Sequence, residues 1–234
     1  MKIFRHELKY FLNFQEYQNL RGKLKLIMKG DKHAGAGGDY HIRSLYFDDY
    51  NDTALYEKQS GVLHRKKYRI RIYNLSSKVI KLEKKSKVGQ FIHKESFLLN
   101  KEQVLKILRF EYDFLLRLDS KLAIEFYYDL KNKLFRPKVI VDYVREAYIM
   151  GPQNIRVTFD KHLKTGLSSV DLFSKNLSLV SAVDEPYTIV EIKYTHMLPD
   201  YIKSVLQVES SQRLAISKYV YSRKFNKLRS WEDH

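Results

Sequence analysis

Cysteine is absent from the 234 residues, which excludes disulfides, thiolate catalysis and thiolate-bound zinc and leaves a reducing compartment open. No apolar run approaches the roughly 20 residues a helix needs to cross a bilayer. The first ten residues, MKIFRHELKY, carry charges where a secretory signal needs an apolar stretch, so the expectation is a soluble cytoplasmic chain. Gly35, Gly37 and Gly38 lack the Lys-Ser/Thr ending of a nucleotide-binding loop and read as a flexible connection. His33, His41, His64, His93, His162 and His196 share no close spacing, which argues against a histidine-bound metal. No linker, repeat or low-complexity stretch divides the sequence, so a single domain over residues 1–234 is expected.

What the chain has in excess is positive charge. Lys and Arg number 43 against 27 Asp and Glu, a formal net charge of +16, while 44% hydrophobic and 14% aromatic residues suffice for a core. Such an excess favours a polyanionic partner: nucleic acid, an anionic membrane surface or a phosphate chain.

The charge is ordered. In Arg65 to Lys87, Arg65, Lys67, Arg69 and Arg71 alternate with Tyr68, Ile70 and Ile72, and Lys81, Glu83 and Lys85 are opposed by Ile80 and Leu82. Period-two alternation sends the two sets to opposite sides of a strand. Asn74-Leu75-Ser76-Ser77 supplies turn chemistry, so both arms form a hairpin with one charged face. Lys84, Lys85 and Lys87 at the arm's end read as solvated or as an entrance patch for a long anion. The same habit recurs as Glu7-x-Lys9, Arg156-x-x-x-Asp160 and Glu191-x-Lys193, and a third arm, Gln90 to Leu98, carries Lys94 and Glu95. Between these segments, Asn13 with Glu16 and Asn100 with Gln103 have capping-box spacing and open helices. Asn51 is expected to cap a short helix to Lys58, the Asp48-Asp49 pair reads as a strand-end turn, and 101–133 is mostly helical. Pro137 ends that region, and helices are expected near Pro199–Val208 and Arg213–Phe225.

An ordinary sandwich does not concentrate Arg and Lys with a few carboxylates on strand after strand. A closed antiparallel barrel with a charged lumen, and with its core packed outside under helices, accounts for the pattern and gives an α+β fold. Like charges in a lumen repel unless a polyanion and metal ions neutralise them, so the expected ligand is a phosphate chain, with Glu7 or Glu191 holding a divalent cation. Basic residues interleaved with 18 tyrosines also suit nucleic acid. Carboxylates among the cations on alternating faces make that partner unlikely.

The ordered segments R-H-E-L-K-Y, S-L-Y-F-D, R-x-R-x-Y, K-L-E-K-K, D-Y-V-R-E-A-Y, R-V-T-F-D, V-E-I-K-Y and S-K-Y, from Arg5 to Tyr219, resemble the VTC domain, the polyphosphate polymerase branch of the triphosphate tunnel metalloenzymes. The resemblance implies an eight-stranded tunnel that transfers the γ-phosphoryl group of ATP to a growing polyphosphate chain with Mn2+ or Mg2+. It implies catalytic contacts from Arg69, Arg71, Lys81, Arg145 and Arg156, phosphate binding by Lys9, Lys94, Lys193 and Lys218, and metal binding by Glu191 with help from Glu7. Fungal relatives work beside a membrane domain, which implies association with a separate membrane protein. Two positions depart from wider patterns. Arg5 stands where the superfamily's E-x-E-x-K has its first glutamate, in agreement with the polymerase branch and against a triphosphatase. Ala215 stands where fungal polymerases have a further basic residue, for which Arg213 could compensate, and this keeps two alternatives open: an inorganic or nucleoside triphosphatase of the same fold, and a non-catalytic polyphosphate-binding module.

Overall fold

Alternating sequence becomes strand and capped sequence becomes helix in the structure, a computed structural model that describes residues 6–35, 37–89, 91–151, 154–183, 187–195, 197–206 and 216–229. In chain order the elements are β1 (His6–Leu12), α1 (Phe14–Ile27), β2 (Lys29–Gly30), β3 (Asp39–Asp48), α2 (Thr53–Gln59), β4 (His64–Tyr73), β5 (Ser76–Val88), β6 (Phe91–Leu99), α3 (Lys101–Leu108) and a 3-10 turn at Asp113–Arg117. There follow α4 (Lys121–Asn132), β7 (Arg136–Met150), β8 (Ile155–Thr165), β9 (Val180–Ser181), β10 (Thr188–Tyr194), α5 (Asp200–Leu206) and α6 (Lys218–Arg229). Among the described residues no helix is long and apolar enough to cross a membrane.

The strands form one antiparallel sheet in the order β1-β10-β8-β7-β3-β4-β5-β6, with β2 on β7 and β9 on β8. Among the described residues this ladder is open between β1 and β6. The α+β class stands, but the expected closed barrel is corrected to an open sheet. Alternation sorts side chains between faces; it does not set the tilt and stagger that closure demands. The chain divides into two compact units. The first comprises Met1–His41, Tyr143–Leu163 and Val183–Ser217, the second Ile42–Asp142, Lys164–Ala182 and Lys218–His234.

Each unit has its own core on one side of its strands. In the first, Leu12, Val157, Phe159, Val190 and Ile192 pack with Tyr17, Leu20 and Leu24 of α1 and Ile202 and Leu206 of α5. In the second, Phe47, Ile70, Ile72, Ile80 and Leu82 pack with Val104 and Ile107 of α3 and Phe126 and Leu130 of α4. The apolar partners of the charged hairpin residues are thus the buried set. Both capping boxes form: Asn13 Oδ1 accepts from the Glu16 amide at 2.9 Å and Asn100 Oδ1 from the Gln103 amide at 2.8 Å. The turn of the β4–β5 hairpin is two residues long, Asn74 and Leu75, both at positive φ (50° and 52°), the handedness that matches the twist of the flanking strands.

Three local expectations change. The short helix α2 is capped by Asp48 and Asp49 rather than Asn51. Asp48 accepts from the amides of Ala54 (2.9 Å) and Leu55 (3.1 Å), and Asp49 from that of Thr53 (2.8 Å). Pro137 does not precede a strand but lies inside β7. Lys84 is not solvated: it lies on the apolar side of β5, meeting Glu95 at 2.5 Å and also pairing with Glu125 of α4. Lys66 meets Glu125 at 2.9 Å and Asp129 at 2.5 Å, and the Tyr68 hydroxyl donates to Asp129 at 2.7 Å. Burial alone would raise the Glu125 pKa, but hydrogen bonds from Lys84 and Lys66 bring it down to about 2.

A second polar pair is sealed in the core of the second unit. Arg43 Nε donates to Asp142 at 2.7 Å, with both side chains no more than 5% exposed, and the Arg43 guanidinium also reaches the Ser174 carbonyl. Removing one partner strands a buried charge, so Asp142→Ala should cost about 3–5 kcal/mol in denaturant unfolding, whereas replacing both partners with apolar residues of similar volume should recover most of it. A carboxyl depressed in the fold contributes stability above its unfolded pKa and loses it as pH falls towards the folded one. Melting temperature should therefore drop as pH falls from about 4.3 towards 2, and Glu125→Gln should lessen that drop.

Candidate active site

The second unit turns a strongly cationic face away from its core. Strand register sets it: Ser44 and Tyr46 of β3 lie opposite Arg71 and Arg69 of β4, which lie opposite Lys81 and Glu83 of β5. Glu83 in turn faces Ser96 of β6, two residues from Lys94. Glu83 is the hub. Its Oε2 accepts from Arg69 Nε at 2.6 Å and lies 3.8 Å from Arg71 Nη1, and its other oxygen pairs with Lys94. Burial alone would raise the Glu83 pKa, yet the charges of Arg69, Arg71 and Lys94 hold it well below the carboxylate range. Lys94 reports the crowding from the other side. Burial lowers its pKa, and Arg69 and Arg71 add to that against the pull of Glu83.

Three further groups complete this face. Lys81 lies 5.7 Å from the Tyr73 ring centroid, with no carboxylate in ion-pair range among the described residues. Lys218 at the start of α6 acts electrostatically on Tyr46. Its neighbour Tyr219 anchors the helix, donating to Asp48 at 2.5 Å and stacking on Tyr46 at 5.1 Å. Arg69, Arg71, Lys81, Lys94 and Lys218, all picked out from sequence, are thus on one unit, and Glu83 is the carboxylate that Arg69, Arg71 and Lys94 share. Glu83 is a counter-ion that fixes two guanidiniums.

The first unit carries a face of different balance. Register places Glu7 opposite Lys193, Lys9 opposite Glu191, Glu191 opposite Thr158 and Lys193 opposite Arg156. The Glu191 carboxylate is ringed by Lys9 at 3.3 Å, Lys193 at 3.4 Å and Arg145 at 3.7 Å. Lys9 also reaches Glu7 at 2.5 Å. Burial would depress the Lys9 pKa, but Glu191 and Glu7 raise it above its ordinary value. Arg145 grips Asp160 with two hydrogen bonds, 2.6 and 2.8 Å, and its pKa is raised despite burial, chiefly by the charge of Asp160. Arg156 is held by Asp31 at 2.6 Å and the Tyr40 hydroxyl at 3.1 Å. The four cations Lys9, Arg145, Arg156 and Lys193 are matched here by Glu7, Glu191, Asp160 and Asp31.

No group of three or more His, Asp or Glu side chains is placed to hold a metal among the described residues. The donors offered are Glu191 and Glu7, bridged by Lys9, and the buried Thr158 Oγ1, which shares the face of Glu191 and has no hydrogen-bond partner. Two carboxylates and an idle hydroxyl fit an ion of the Mg2+ type that arrives with phosphate oxygens, because such ions are held by one or two carboxylates plus substrate.

The alternation places Thr158 beside Arg156 and Asp160, but no site role falls from it to Thr158, Ser44, Tyr46, Asp31 or Tyr40. The first three were within reach, since they alternate with buried neighbours as the charged residues do, but search by charge misses a hydroxyl. Asp31 and Tyr40 carried no such signal. Arg5, Arg213, Ala215 and His196 lie outside the described residues.

The fold has counterparts in solved structures. A putative adenylate cyclase from Bacillus halodurans superposes with a TM-score of 0.54 at 13% identity, covering 92% of this chain and 94% of that one. A putative adenylyl cyclase from Hippeastrum, described as revealing a dominant triphosphatase activity, gives 0.57 at 14% identity over 95% and 96% of the two chains. No curated protein matches the sequence. The family model of the VTC domain matches residues 4–226. With that match spanning nearly all of the sequence, and with the ordered motifs other than S-K-Y, which opens α6, lying on strands, the chain belongs to the VTC domain family.

Proposed function

We propose that this protein is a polyphosphate polymerase that transfers the γ-phosphoryl group of ATP to a growing polyphosphate chain. The observation that carries this reading is the imbalance on the second unit's charged face, where Arg69, Arg71 and Lys94 meet the shared carboxylate of Glu83 and Lys81 has no carboxylate in ion-pair range among the described residues. Fixed guanidinium and ammonium groups in such excess call for an anion with charge distributed along its length, as a phosphate chain has.

The chemistry needs no protein nucleophile. An oxygen of the acceptor's terminal phosphate attacks the γ-phosphorus of ATP, a new P–O bond forms, the bond to the β–γ bridging oxygen breaks, and ADP leaves. Charge spreads over the equatorial oxygens of the transferred group, where positioned cations stabilise it. Arg69 and Arg71, locked by Glu83, orient phosphates; Lys81 has no carboxylate to give up before it binds them. Arg145 and Arg156 enter the same reading as catalytic contacts, and Lys9 and Lys193 as phosphate ligands. Glu191 with Glu7 would hold Mn2+ or Mg2+, which supplies neutralising charge at phosphate oxygens. A single domain over residues 1–234, in the cytoplasm and beside a separate membrane protein, belongs to this proposal.

A second reading is hydrolysis. Water in the acceptor's place gives orthophosphate, and the described triphosphatase activity of the Hippeastrum protein of like fold favours keeping it.

With ATP and Mn2+, the purified chain should make long-chain polyphosphate and ADP in equal steps, and Glu191→Gln or Lys81→Ala should lower the rate at least about a hundredfold. Normal synthesis by both variants would sink the assignment of these faces. Resolving ADP, orthophosphate and chain product in one reaction separates the readings: orthophosphate without chain growth means a triphosphatase, and retention of labelled polyphosphate with neither product means a binding module.

A further inference from the structure

Four buried tyrosines of this protein give their protons to carboxylates, and Tyr46 on the cationic face does not. Tyr17 and Tyr148 donate to Glu146 at 2.7 and 2.6 Å, Tyr68 to Asp129 at 2.7 Å and Tyr219 to Asp48 at 2.5 Å. Each of these four phenols has a raised pKa, first from burial and then from the carboxylate it meets. Tyr46 is only 8% exposed and differs on both counts. Its oxygen accepts from Arg69 Nη1 at 2.8 Å, and its own proton has no acceptor among the described residues. Burial would raise its pKa, but Arg69, Arg71 and Lys218 bring it below the ordinary phenol value.

The ring is fixed so that the hydroxyl cannot swing to another partner. It stacks on Tyr219 at 5.1 Å and 26°, and the Arg69 guanidinium sits 5.7 Å from its centroid. Around it stand Arg69 and Arg71 of β4, Lys218 and Tyr219 of α6, Ser44 and Asp48 on its own strand and, beyond Arg69, the Glu83–Lys94 pair of β5 and β6. Ser44 accepts from Arg71 at 3.0 Å, and Asp48 is occupied by the amides of α2 and by Tyr219. A buried donor left without an acceptor is costly, and here it is set among cations that themselves gather anions.

We propose that the Tyr46 hydroxyl is a ligand of the bound phosphate chain, donating its proton to a non-bridging phosphate oxygen held by Arg69 and Arg71. This rests on the reading that the second unit's face binds phosphate. It adds a neutral donor to a set of cations and makes binding depend on the phenol staying protonated. Once ionised, Tyr46 would be satisfied by Arg69 and would repel the phosphate instead of holding it.

The test is calorimetric titration of the full chain and of Tyr46→Phe with tripolyphosphate. The variant keeps the ring stack and should melt as the unaltered protein does. It should bind roughly ten- to a hundredfold more weakly, the worth of a hydrogen bond to a charged acceptor. Ultraviolet titration supplies a readout that a packing role would not move. The first phenol to ionise as pH rises should disappear in Tyr46→Phe and should shift to higher pH in the unaltered protein when tripolyphosphate is bound. Equal affinity for both proteins, or an unmoved first ionisation, overturns the role of Tyr46 alone. If the unaltered chain does not bind tripolyphosphate, the phosphate reading falls and this inference with it.

Discussion

A carboxylate taken out of water among cations is stable only if those cations stay in place, and Glu83 is such a carboxylate. Its two oxygens hold Arg69 and Arg71 of β4 and Lys94 of β6 together across its own strand β5. Without it, adjacent guanidiniums on β4 would repel each other in a setting that screens them poorly. With it they keep a fixed geometry, and Arg69 has a second donor arm left for Tyr46. The arrangement is under-neutralised by construction. One negative charge organises the cations without cancelling them, so the face stays attractive to a polyanion while the strands that carry it stay folded.

The two charged faces solve different problems. On the first unit, four cations and four carboxylates interlock, and Glu191 is surrounded by Lys9, Lys193 and Arg145. Such a face gains little from a bare anion, because each new contact must displace an existing pair. An anion accompanied by a divalent ion is different: the ion can take the carboxylates while the released ammonium groups take phosphate oxygens. On the second unit no such exchange is needed, because the cations outnumber their counter-ion. On the proposed reading, chain binding belongs to the second face and metal-linked chemistry to the first.

Much of this could be read from the chain because a strand's two-residue period is strict. Knowing that Ile70 and Leu82 are apolar is enough to put Arg69, Arg71, Lys81 and Glu83 on the other side, and the register confirms it. Parity puts Lys84 on the apolar side with Leu82 as well, but a lysine beside Lys85 reads as surface until Glu125 on α4 is known to meet it. Charge pairs made across 41 residues, or across 99 as with Arg43 and Asp142, leave no local trace. Closure of the sheet leaves no such trace either, since side-chain alternation is a property of each strand whereas closure is a property of the edges.

Polymerase and triphosphatase chemistry differ in the nucleophile, not in the cations that bind the triphosphate, so none of the Arg and Lys positions discriminates between them. What discriminates is whether water can reach the in-line position behind the γ-phosphorus. An anionic acceptor is drawn to a cationic face and water is not, so excess positive charge beyond what one triphosphate neutralises favours the longer chain as second substrate. The second unit has that excess: Arg69, Arg71 and Lys94 share one carboxylate, and Lys81 has none in ion-pair range among the described residues. A hydrolase has no use for cations beyond the reach of its substrate. It is this surplus that makes the polymerase the stronger of the two readings.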